Sequence, residues 1–129
     1  LGAEPSGLAL SPTGATLFVS EHAVGWVGVV DTASMVRTGS IDPPENPYAL
    51  AVTNDGDADD ADELVFVPEL FGLPTEDGEG ADTSRTGLVR VYRTRDLEPD
   101  GPITLSPIDS GFAPEGGESV MSSARRRGA

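Results

Sequence analysis

The feature that most constrains this 129-residue chain is a single turn-punctuated apolar unit written in it twice. Pro5-Ser6-Gly7-Leu8-Ala9-Leu10-Ser11 is answered 42 positions later by Pro47-Tyr48-Ala49-Leu50-Ala51-Val52-Thr53, with Gly14 falling on Gly56. Leu17-Phe18-Val19-Ser20-Glu21 aligns with Val65-Phe66-Val67-Pro68-Glu69 at a spacing of 48. Gly25-Trp26-Val27-Gly28-Val29-Val30 aligns with Gly87-Leu88-Val89-Arg90-Val91-Tyr92 at 62, and Thr32 falls on Thr94. Ile41-Asp42-Pro43 aligns with Leu105-Ser106-Pro107 at 64, and Tyr48-Ala49 recurs as Phe112-Ala113. A spacing that only grows describes one repeat with two insertions in its second copy, near 57–62 and near 73–86. Both insertions lie between apolar runs, where a surface loop lengthens at little entropic cost.

Each unit holds four short runs rich in Val, Phe, Ile, Tyr and Trp, the residues that suit a half-buried pleated surface. They are 7–10, 16–20, 26–31 and 36–41 in the first copy, and 48–53, 63–68, 88–93 and 102–105 in the second. Ser11-Pro12-Thr13-Gly14 and Thr53-Asn54-Asp55-Gly56 supply turns, each ending on the residue type for which positive φ is cheap. No segment sustains a helical period, and a helical turn at 93–98 would stop at Pro99. The expectation is all-β. A unit of about 42 residues and four strands is the blade of a β-propeller. The reading is blade 1 over 4–46, blade 2 over 47–110 with its two insertions, and the start of a third repeat with an irregular tail over 111–129. Rings close with about four to eight blades, so two four-stranded antiparallel meanders form an incomplete ring. Further propeller blades are expected as partners, in cis or by oligomerisation.

The motif residues also resemble a known group. Pro5-x-Gly7-Leu8-Ala9-Leu10-Ser11-Pro12-x-Gly14, then Leu17-Phe18-Val19-Ser20 and Val29-Val30-Asp31-Thr32, is similar to the YVTN-type blade of bacterial surface and periplasmic propellers. The second copy departs from it, with Val65-Phe66-Val67-Pro68 and Val91-Tyr92-Arg93-Thr94. The resemblance implies a non-enzymatic binding or scaffold module of a secreted, cell-surface or periplasmic protein, with a protein, glycan or small molecule as ligand. The alternative is a fragment of a propeller enzyme, lactonase-like or quinone- or haem-linked dehydrogenase-like.

Charge and composition narrow the partners. Eight basic against 22 acidic residues leave a net charge of −14, which repels nucleic acid and anionic lipid. No run approaches the roughly 18 apolar residues of a membrane span. The absence of Cys excludes disulfides, thiol catalysis and iron–sulfur ligation.

The densest polar motif is 54–63, where Asp55, Asp57, Asp59, Asp60, Asp62 and Glu63 alternate or adjoin. Such carboxylates suit Ca²⁺, a hard cation that gathers oxygens from flexible loops. Asp60 and Phe66 occupy the places of an EF-hand's glycine and final glutamate, so the loop would be of a looser kind. Ca²⁺ is the one cofactor suggested. The strand order of a meander puts the second-to-third loops and the interblade link on one face, where His22, Asn46, Glu69, Asp82 and Arg85 are the ligand-face candidates. His22 is the sole histidine, with no nucleophile or metal partner evident beside it, and no catalytic residue is assigned. Trp26, Phe18, Phe66 and Tyr92 are expected to pack within and between blades.

Overall fold

The computed structural model describes residues 4–42, 46–76 and 84–106, with the backbone of 108–109 and 121–122. The third repeat expected over 111–129 lies otherwise outside the described residues. Alternating apolar residues build a four-stranded meander from β1 (Pro5–Leu10), β2 (Thr16–Glu21), β3 (Trp26–Asp31) and β4 (Val36–Ile41), paired in chain order. A second antiparallel sheet joins β5 (Ala51–Val52), β6 (Leu64–Pro68), β7 (Leu73–Pro74), β8 (Arg85–Arg93) and β9 (Pro99–Leu105). β10 (Ile108–Asp109) and β11 (Met121–Ser122) form a separate ladder. The described chain is all-β, two propeller-blade meanders without a closed ring. Its helical content is one 3-10 turn, Asp60–Asp62. No described helix is long and apolar enough to cross a membrane.

The two meanders share the register of their ladders. Ala9 opposes Phe18 and Phe18 opposes Val29; Ala51 opposes Phe66 and Phe66 opposes Val91. The turn hydroxyls repeat too: Thr16 N–H donates to Ser11 Oγ at 3.1 Å and Leu64 N–H to Thr53 Oγ1 at 2.9 Å. Thr32 N–H donates to the Ala15 carbonyl and Thr94 N–H to that of Glu63. Gly14 and Gly56 close the equivalent turns with φ of 77° and 96°.

Two sequence expectations are corrected. In the fourth strand Val27 opposes Ile41 and Val89 opposes Ile103, so the partner of Ile41 is Ile103 at a spacing of 62 rather than Leu105 at 64. Register shifts at Val29/Val30 and at Val91/Tyr92 absorb the same extra residue in both copies, so no further insertion exists there. The second insertion is not simply a loop. Leu73 and Pro74 pair with Thr86 and Arg85, which lengthens β8 to 9 residues and raises a short two-stranded arm.

Because paired residues share a face of a sheet, the ladders sort every side chain. The face of the first sheet carrying Phe18, Val27, Val29 and Ile41 meets the face of the second carrying Val65, Val67 and Tyr92, and these seven form the buried core. Leu50, Val52 and Leu97 pack at its margin. Close approach at the seam is fixed by Gly7, where a Cβ would stand 2.7 Å from the Tyr48 carbonyl oxygen. The hydroxyls of Ser6 and Ser20 lie 2.9 and 3.0 Å from that same oxygen, joining the blades through a polar contact inside an apolar seam.

Candidate functional site

The loop face at the blade junction gathers three of the five sequence candidates. The His22 ring sets Nδ1 3.3 Å from the Pro47 carbonyl oxygen. It stands edge-on to Tyr48 at 5.9 Å between ring centres and tilted against Phe71 at 6.2 Å. Asn46, at φ 56°, accepts from Leu70 N–H at 3.1 Å, while Pro47 bridges to Glu69. His22, Asn46 and Glu69 are thus neighbours, drawn together because the interblade link lies against the end of β6. Tyr48 and Phe71 are missing from the sequence candidates, yet they are 45% and 52% exposed. A hint of Tyr48 was available: it replaces Ser6 of the first copy, so its ring has no place in the repeated core. Arg85 opens β8 and donates to the Gly72 carbonyl at 3.3 Å. Asp82 lies outside the described residues.

Beneath this surface the repeat keeps an acid and moves its base. Glu21 pairs with Arg37 on β4 at 2.8 Å. The matching Glu69 pairs with Arg90 on β8 at 2.6 Å. Arg90 stands where the first copy has Gly28, and a Cβ on Gly28 would lie 2.7 Å from Glu21 Oε1. The first copy therefore lays its carboxylate over a glycine and reaches an arginine on the next strand. The Glu69 side chain is 1% exposed and Arg90 30%, and Glu69 Oε2 has no hydrogen-bond partner among the described residues.

The acidic loop is held by its own carboxylates. Asn54, Asp55, Asp57 and Asp59 each accept, through the side chain, from the backbone N–H two residues on, at 2.7–3.1 Å. This succession of Asx turns explains the alternation that resembled a calcium loop. Asp60 reaches to the other blade, accepting from Thr13 N–H at 3.0 Å and Thr13 Oγ1 at 2.5 Å. Hydrogen bonds from Ser11 and Thr13 hold its carboxyl below the usual range. Asp57, Asp59 and Asp60 make these hydrogen bonds, and the carboxylates that converge are a different set. Asp55, Asp62 and Glu63 do converge, one carboxylate oxygen of each within 4.8 Å of the others, and that spacing could hold a metal ion. Glu63 is buried and already accepts from Thr53 Oγ1 and from Asp55 N–H. Asp62 is exposed, and desolvation followed by the charges of Asp55, Asp57 and Asp59 raises its carboxyl above the usual range.

On the opposite face the first-to-second and third-to-fourth turns enclose a cleft of about 360 Å³. Phe18, Val29 and Leu97 line it together with Asp60, Thr94 and Arg95. Trp26 packs between no described blades; it is exposed, with the Arg37 guanidinium 5.7 Å from its ring centre.

No protein-family model matches this chain, and no curated protein does. Among solved structures it is similar to a chain of the hydrazine synthase of Kuenenia stuttgartiensis, at 26% identity and a TM-score of 0.55. The match covers 76% of this chain and 22% of that one. The chain thus spans well under two thirds of the protein it matches. The similarity supports the shared β-rich architecture. It does not extend to the YVTN-type repeat.

Proposed function

We propose that this chain belongs to a propeller that binds its ligand rather than transforming it, a scaffold module of a secreted or cell-surface protein. The observation that carries this reading is the cluster of His22, Tyr48 and Phe71, which leaves two large rings in solvent where the loops of two blades meet. Exposed aromatic surface on an otherwise acidic chain marks a contact site, and rings with nearby polar groups suit a glycan or a peptide. The YVTN-type resemblance of the first blade supports a place outside the cytoplasm. Further blades, in the same polypeptide or in another, complete the ring. The labelled protein on glycan and peptide arrays should give a selective signal that Tyr48→Ala with Phe71→Ala abolishes. A signal that survives the double variant would overturn the assignment.

The similarity to a chain of hydrazine synthase, an enzyme by name, favours a second reading, a piece of a propeller enzyme. In that reading the His22 imidazole, beside the Pro47 carbonyl at the junction, is the general acid–base candidate. Turnover in lactone-hydrolysis or dye-coupled dehydrogenase assays of the intact protein would replace the first reading by this one.

Calcium is the ion we assign to the Asp55, Asp62 and Glu63 cluster, since it accepts carboxylate oxygens in irregular geometry. A cation there also counters the desolvation and the Asp55, Asp57 and Asp59 charges that raise the Asp62 carboxyl. Calorimetry should show Ca²⁺ binding and a higher Tm in millimolar Ca²⁺, both lost in Asp62→Asn. A flat titration would end the metal reading.

A further inference from the structure

Several equivalent positions of the two blades carry like side chains in opposite surroundings, although Val29 and its counterpart Val91 are both buried. Ile41 is 1% exposed and its counterpart Ile103 is 47% exposed. Phe18 and Val27 are buried; Phe66 and Val89, in the same places, are partly open. The reverse holds on the other faces. Leu8 is 65% exposed and Leu10 is exposed too, while Leu50 and Val52, their counterparts, pack against the core. The seam inside the chain is formed by the second face of one blade and the first face of the next. Among the described residues the chain therefore displays one largely open copy of each half of an interface that it has already built. Such faces match each other, not themselves, so their association is head to tail.

We propose that a second copy of this chain docks in this way, Phe66, Val89 and Ile103 of one seated on Leu8, Leu10 and Val19 of the next. It rests on the reading of the chain as an unfinished ring. The new seam continues the established one: Glu21, whose side chain is 14% exposed beside Arg37, becomes covered as Glu69 is at 1%. About two to four copies supply the four to eight blades at which rings close.

Light scattering during size-exclusion chromatography tests this with the whole chain. Wild type should gain mass as concentration rises. Leu8→Asp alone and Ile103→Asp alone should each stay monomeric at concentrations at least about tenfold higher, while keeping the wild-type far-UV circular dichroism. Leu10→Asp and Leu105→Asp replace either variant if it fails to fold. An equimolar mixture of the two variants should give a one-to-one complex, because each blocks a different face and one intact seam remains. A folded wild type that stays monomeric at every concentration would overturn the proposal and assign the covering blade to another polypeptide segment. So would a mixture that stays monomeric. Array binding by a monomeric protein would leave the proposed function standing, which keeps the two failures apart.

Discussion

Phe18→Ala is expected to lower the unfolding free energy by about 4 kcal/mol, read as a fall in the urea midpoint at an unchanged slope. Phe18 is buried at the centre of the interblade core, against residues of both sheets. Truncation removes its transfer free energy and opens space that β-sheet walls on either side cannot close by collapse. Phe66→Ala, the same ring 48 positions on, should cost less than about 2 kcal/mol, since part of that ring already faces water. The two substitutions are chemically identical, so their difference measures the covering blade alone. Equal losses would mean that the two faces are equally buried and that the seam is misplaced.

The second large effect concerns the carboxylate inside the seam. Arg90→Ala should destabilise the fold by about 3 kcal/mol, because removing one partner of a buried pair leaves an uncompensated charge. Arg90→Leu combined with Glu69→Leu should recover most of that loss, since an apolar pair of similar volume replaces a desolvated ionic one at little net cost. Arg37→Ala breaks the matching pair of the first blade. It should cost under about 1 kcal/mol, as expected of an ion pair still in contact with solvent. Chemical denaturation of the three variants distinguishes the two sites. A double variant no more stable than Arg90→Ala would show that the arginine acts through packing rather than through the charge of Glu69.

Much of the fold was legible because a β-blade writes its burial pattern locally. The short apolar runs Leu17-Phe18-Val19 and Val65-Phe66-Val67, rich in β-branched and aromatic residues, mark strands without any tertiary knowledge, and glycines at 14 and 56 mark the turns. What sequence could not settle was which face each residue joins across a bulge. The pattern Ile-x-Pro at 41–43 matched Leu-x-Pro at 105–107 by composition, whereas the ladders place Ile103 opposite Val89. The paired arm at Leu73 and Thr86 was hidden for a related reason. Two strand residues are too short a signal to stand out in a Gly- and acid-rich insertion. The acidic loop was legible in position, while its chemistry was divided between two uses of the same residues. Alternating aspartates serve equally as metal ligands and as acceptors for their own backbone two residues on, and here most are spent on the latter. The shared Glu21 and Glu69 were visible as a repeat. Their partners were not, because the arginine changes strand between copies, from the place of Arg37 to that of Arg90.

The chain contains no cysteine, which allows a direct reading of which surface each blade covers. Single cysteines at positions 41 and 103, introduced as Ile41→Cys and Ile103→Cys, would be labelled with a thiol reagent under native conditions, at a dilution that keeps the chain monomeric. Fast modification at 103 and strong protection at 41 is the result expected if one repeated blade covers the next. Equal labelling rates at the two sites would contradict it.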